Sequence, residues 1–133
     1  MGNSLKALII SGGNIEDLNW LREIENNFDF ILCADGGCNY CIGADILPDL
    51  VVGDLDSISP KTLDIIHRKE VPIEKFPERK NATDTELALD ILIDNGIEDI
   101  TLVGVLGSRM DHTMANILLL IKLHEKGCIG KIM

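Results

Sequence analysis

Short apolar runs and helical patterns alternate along the chain. Runs with the length and β-branched content of buried strands fall at residues 7–10 (ALII), 28–34 (FDFILCA), 50–52 (LVV), 71–74 (VPIE) and 100–106 (ITLVGVL). Between the first two, Leu18, Leu21 and Ile24 recur at helical spacing within 15–27, with Asn14 as the expected N-cap. Ser59-Pro60 joins an N-cap residue to a first-turn proline and opens a helix that turns Leu63 and Ile66 inward. Thr83-x-x-Glu86 has the spacing of a capping box, and Asn95-Gly96 supplies the stop. A last helix from about Asp111 to Lys126 is apolar nearly all round, which predicts burial on more than one side, and Gly127 ends it. The closing CIGKIM reads as the start of another strand, so the chain is expected to be a truncated piece of a longer protein.

Strand and helix in this rhythm predict βαβ units. The expected fold is α/β, a Rossmann-like three-layer sandwich with a mostly parallel sheet and helices on both faces. At 133 residues the chain suits a single domain over 1–133, with no internal repeat, low-complexity tract or linker. Only five residues are Phe, Trp or Tyr, so Ile, Leu and Val must build the core.

Charge narrows the function classes. Acidic residues number 22 against 12 basic ones, a formal net charge of −10. That argues against a nucleic-acid surface, which requires a basic stripe. A nucleotide remains compatible if divalent cations stand between the two sets of negative charges. The first apolar run is too short for a signal segment and no run approaches a membrane span, so a cytoplasmic protein without membrane contact is expected. The start MGNSLK superficially fits an N-myristoylation pattern, but Lys6 stands where Ser or Thr is required. Cys38 and Cys41 form a CxxC, yet Cys33 and Cys128 supply no second pair of matching spacing. They read as half-buried thiols on one helix face, in place of a zinc or redox motif.

The candidate chemistry gathers behind the apolar runs, where open α/β sheets bind ligands. After the five runs come Ser11-Gly12-Gly13-Asn14, Asp35-Gly36-Gly37, Gly53-Asp54-Leu55-Asp56-Ser57, Lys80-Asn81-Ala82-Thr83-Asp84 and Gly107-Ser108-Arg109-Met110-Asp111-His112. Each has a plain structural reading. Gly36-Gly37 serves as a strand-to-helix turn, Thr83 and Asp84 start a helix, and Arg109 pairs with Asp111 at the surface. His112 on that reading is a hydrogen-bonding residue at a helix end. Asp54 and Asp56 resist such a reading. In extended backbone they point to one side, and two carboxylates held together repel unless a cation intervenes. Hard oxygen donors of this kind suit Mg²⁺, with Asp84 as a further ligand. Neither a Walker A loop nor a G-x-G-x-x-G is present.

The series DGG, PDLVVGDLDS, TDTELAL and GSRMDH-x-x-x-N, in this order and spacing, closely resembles the thiamine pyrophosphokinase (thiamine diphosphokinase) family from about Ala7 to the end. The resemblance implies transfer of the β,γ-diphosphoryl group of ATP to the hydroxyl of thiamine, giving thiamine diphosphate and AMP. It further implies an N-terminal α/β domain, a C-terminal β-sandwich domain absent from this chain, and a homodimer in the full-length protein. Carried over by motif, Asp35, Gly36 and Gly37 lie against the nucleotide. Asp54, Asp56 and Asp84 hold Mg²⁺, Arg109 contacts phosphate, and Asp111 and His112 shape the same pocket. Ser57, Lys80 and Thr83 complete the nucleotide-binding set, Asp49 is a supporting residue, and Asn81 stands where the family often has an acid. Asp54, Asp56, Asp84, Arg109 and Asp111 are the expected catalytic group. Two alternatives stand beside this one. One is a nucleotide-binding fragment without activity of its own; the other is a phosphatase-like enzyme with an aspartyl nucleophile in DLDS.

Overall fold

The computed structural model describes residues 5–12, 15, 17–34, 36–53, 55, 58–74, 84–104 and 120–132. The strands are β1 (Lys6–Ile10), β2 (Phe30–Ala34), β3 (Leu50–Val52), β4 (Ile73–Glu74), β5 (Asp99–Val103) and β6 (Ile129–Ile132). Helices α1 (Leu18–Glu25), α2 (Gly37–Gly43), α3 (Pro60–Arg68) and α4 (Asp84–Asp94) alternate with them. A helical stretch at 120–125 precedes β6. Every pairing is parallel, in the order β4-β3-β2-β1-β5-β6.

Period-two alternation divides the strands between two cores. Ala7, Ile9, Leu32, Leu50, Val52, Ile100 and Leu102 meet Leu87, Ala88, Leu89 and Leu92 of α4, with Leu123, on one face. Leu8, Ile10, Ile31, Cys33, Val51 and Val103 meet Leu21 of α1, Cys38 and Cys41 of α2 and Ile66 of α3 on the other. Strands covered on both faces need apolar residues at nearly every position, which is why the runs showed no alternation in sequence. The three-layer α/β architecture is therefore the one expected, and Ile129–Ile132 within CIGKIM form a strand.

Local boundaries shift for identifiable reasons. Helix α1 is capped by Asp17 and is shorter than 15–27: its backbone is extended (φ −122°) and its carboxylate accepts the Asn19 N–H at 2.9 Å. Asn14, the expected cap, lies outside the described residues. Helix α3 starts as its sequence signals, with Ser59 Oγ accepting from Thr62 N at 3.3 Å. The run 100–106 yields a strand only to Val103, because Gly104 turns the chain at φ +71°. In the helical stretch 120–125, Leu123 is buried while Ile121 is 52% exposed. The described part of that helix is thus buried on one side, unlike the all-round burial its composition predicted.

Two aspartates fix the register at the amino edge of the sheet. Asp29 donates its N–H to Lys6 O at 2.7 Å and accepts the Lys6 N–H at 2.9 Å. Asp49 repeats the device on Ile31, at 2.7 and 2.8 Å. Asp49 is therefore a structural pin at the edge opposite the strand ends singled out in sequence.

Candidate functional site

In a parallel sheet all carboxyl ends share one edge, so the strands that precede the five segments singled out in sequence all end on the same side of the molecule. Strands β1 and β5 are neighbours, yet α1, which follows β1, and α4, which precedes β5, cover opposite faces. This is the switch point where α/β sheets open a ligand crevice.

At that switch point the described contacts are between backbone atoms. Ser11 N–H donates to Val103 O at 2.9 Å, carrying the β1–β5 ladder one residue past the strand. A Cβ on Gly104 would overlap Ser11 O, and one on Gly37 would overlap Ile10 O. A Cβ on Gly12 would rest 3.4 Å from Gly36 Cα. Backbone thus packs on backbone here, and at Gly37 and Gly104 only glycine allows such an approach. Gly36 and Gly37 were expected at the site. Ser11 and Gly12, singled out in sequence as a strand-end segment without an assigned role, and Gly104, which was not singled out, share these contacts. An isolated glycine inside an apolar run was the signal that marked Gly104.

Around β3 the anchors are clear. Gly53 N–H donates to Glu74 O at 3.1 Å, and Ile58 N–H to Leu55 O at 3.2 Å. Leu55 packs into the core shared with α1, α2 and α3, although its φ is +73°. A left-handed leucine means that the backbone between Asp54 and Asp56 turns at its centre. The argument that extended backbone sets the two carboxylates on one side therefore no longer applies. Asn39 Oδ1 accepts from Ser59 N at 3.0 Å and ties α2 to the start of α3.

Asp84 is the first residue of α4. Asp35, Asp54, Asp56, Ser57, Lys80, Thr83, Arg109, Asp111 and His112 lie outside the described residues. Among the described residues no three His, Cys, Asp or Glu side chains form a group able to hold a metal ion. Cys33, Cys38 and Cys41 are fully buried free thiols, more enclosed than the half-buried arrangement expected. Burial pushes the Cys33 thiol well above its ordinary range, and the adjoining Cys38 and Cys41 thiols add to the effect. A neutral buried thiol is neither a nucleophile nor a ready metal ligand. The donors that fit Mg²⁺ by their chemistry remain the hard carboxylates of Asp54, Asp56 and Asp84.

The fold defines a doubly wound α/β domain whose described strand ends at the switch point meet through glycine backbone. The family model described as thiamin pyrophosphokinase, catalytic domain, matches residues 21–131, and the chain belongs to that family. It is 29% identical over 114 residues to the thiamine pyrophosphokinase of Bacillus subtilis (strain 168), covering 86% of this chain and 53% of that protein. The chain thus spans about half the length of this curated relative. The crystal structure of the Bacillus subtilis thiamine pyrophosphokinase superposes with a TM-score of 0.80 at 26% identity, over 96% of this chain and 60% of that one. A thiamin pyrophosphokinase family protein from Enterococcus faecalis gives 0.74 at 27% identity, over 96% and 61%. Yeast thiamin pyrophosphokinase, at 18% identity, shares the fold with a TM-score of 0.79 over 98% and 58%. Among the described residues no helix is long and apolar enough to cross a membrane.

Proposed function

We propose that the chain is the nucleotide-binding α/β part of an enzyme that transfers the β,γ-diphosphoryl group of ATP to the hydroxyl of thiamine, giving thiamine diphosphate and AMP. The observation that carries this reading is the family match over residues 21–131, spanning the strand ends of β2, β3 and β5 and the start of α4. Asp35 with Gly36 and Gly37 holds the nucleotide, assisted by Ser57, Lys80, Thr83 and His112. Asp54, Asp56 and Asp84 hold Mg²⁺, which when bound offsets the negative charge of the phosphates. Arg109 contacts phosphate oxygens and stabilises charge that develops on the transferred group. The thiamine hydroxyl oxygen forms a bond to Pβ, the bond from Pβ to the bridging oxygen of AMP breaks, and Asp111 or Asp84 accepts the hydroxyl proton. The chain's contribution is positioning and charge, as in other phosphoryl-type transfers. The full-length enzyme acts as a cytoplasmic homodimer.

Incubation with Mg·ATP and thiamine is expected to yield AMP and thiamine diphosphate. Formation of ADP with a monophosphorylated product would overturn the reaction. Asp56→Asn is expected to cut turnover by about 100-fold or more with the circular dichroism spectrum unchanged; near-normal turnover removes Asp56 from the metal site. Separate titrations with Mg·ATP and with thiamine distinguish the enzyme from the fragment reading. Nucleotide binding without thiamine binding assigns these residues a nucleotide-binding role alone.

A further inference from the structure

Helix α4 carries Asp84, Glu86, Asp90 and Asp94 and no basic residue. Glu86 and Asp90 are four apart on one face, where like charges weaken a helix unless a cation joins them. That cation comes from another element. Lys122, in the helical stretch 120–125, sets its Nζ 3.2 Å from Glu86 Oε2 and 2.9 Å from Asp90 Oδ1. The three side chains are 29%, 31% and 45% exposed, partly withdrawn from water. By contrast Arg68 and Asp64, at 68% and 64% exposure, pair within one helix and link nothing.

Location gives the fork its consequence. Asp84 stands two residues before Glu86 at the head of α4. Leu123 and α4's Leu87, Leu89 and Leu92 share one core, so apolar packing already fixes the distance between the two helices. Packing of this kind tolerates a slide along the helix axes, because apolar contacts are non-directional. A cation hydrogen-bonded to carboxylates one turn apart does not tolerate it.

We propose that Lys122 is a positioning residue. By bridging Glu86 and Asp90 it fixes the axial register of α4 against the helical stretch 120–125, and so sets the position of Asp84, the first residue of α4. The sequence showed it only as a lone cation within the apolar LLLIKL. The inference rests on the diphosphotransferase reading of that site.

The test compares the full chain with Lys122→Met, Lys122→Arg and, as a control that loses an ion pair elsewhere, Arg68→Met. Readouts are the melting temperature, the Kd for Mg·ATP by titration and the KM for each substrate. Lys122→Met is expected to raise the Kd and KM for Mg·ATP roughly fivefold to tenfold, because displaced ligands lose affinity. The KM for thiamine stays unchanged, Lys122→Arg returns to within about twofold, and Arg68→Met binds as the unmodified chain does. Glu86→Gln combined with Asp90→Asn removes the same bridge from the α4 side and must give the same shift, so the result does not depend on one variant folding. A lowered melting temperature with Mg·ATP binding at its original strength overturns the proposal and leaves Lys122 a purely structural residue. If the unmodified chain neither binds Mg·ATP nor forms AMP, the reading of the site itself fails, and the role of Lys122 falls with it.

Discussion

Gly37 shows how far one residue can constrain this fold. A single methyl there would overlap the Ile10 carbonyl oxygen, and both groups are backbone. Neither can retreat without loosening β1 or the first turn of α2. Gly37→Ala is accordingly expected to cost about 2–4 kcal/mol, measured by urea unfolding; a loss below about 1 kcal/mol would mean that the turn relaxes freely. Leu55 is the complementary case. Its left-handed backbone costs a leucine about 1 kcal/mol, offset by the burial of its side chain in the core. Sequence marked Gly37 as part of a turn but read the backbone through Leu55 as extended. It did not separate a glycine needed for close approach from one that merely bends the chain, because the opposing carbonyl comes from a different strand.

Elements carry the next level of constraint, and α2 with β2 illustrates it. Cys38 and Cys41 lie three apart on one helix face and turn toward Cys33, so all three thiols enter the core. Cys128 is half-buried after the last helical stretch. In the folded chain, iodoacetamide is therefore expected to label Cys128 alone, and all four cysteines only after unfolding, as read by mass spectrometry. Rapid labelling of Cys38 or Cys41 in the native state would contradict this packing. The CxxC spacing was legible as one helical face, but the degree of burial was not, since α3 and β3 complete the enclosure. Helix starts behaved similarly. Ser59-Pro60 was unambiguous, whereas the cap of α1 is Asp17, whose carboxylate accepts the Asn19 N–H.

At the scale of the whole molecule, the bridge of Lys122 couples two helices through charge. The Asp90 hydrogen bond raises the lysine pKa above its ordinary value; partial burial opposes the shift, and Glu86 reinforces it. A folded pKa above the unfolded one contributes stability that is fully present below the unfolded value and is lost as pH rises through the folded value. The stability difference between the unmodified chain and Lys122→Met is thus expected to stay level through neutral pH and to close only in the alkaline range, above the ordinary lysine value of 10.5. Urea unfolding from neutral to strongly alkaline pH reads this directly. A gap that closes between about pH 6 and 8 would assign the effect to another group.

The sequence by itself determined the α/β class, the parallel sheet, the polar strand ends and the family signature, because local periodicity and turn chemistry act within a few residues. Tertiary structure alone decided the strand order with β1 beside β5, the backbone contacts of Gly37 and Gly104, the amino-edge role of Asp49 and the bridge from Lys122 to α4. Each of these joins residues distant in the chain. A pattern read along one strand or helix holds no record of which neighbour it will meet.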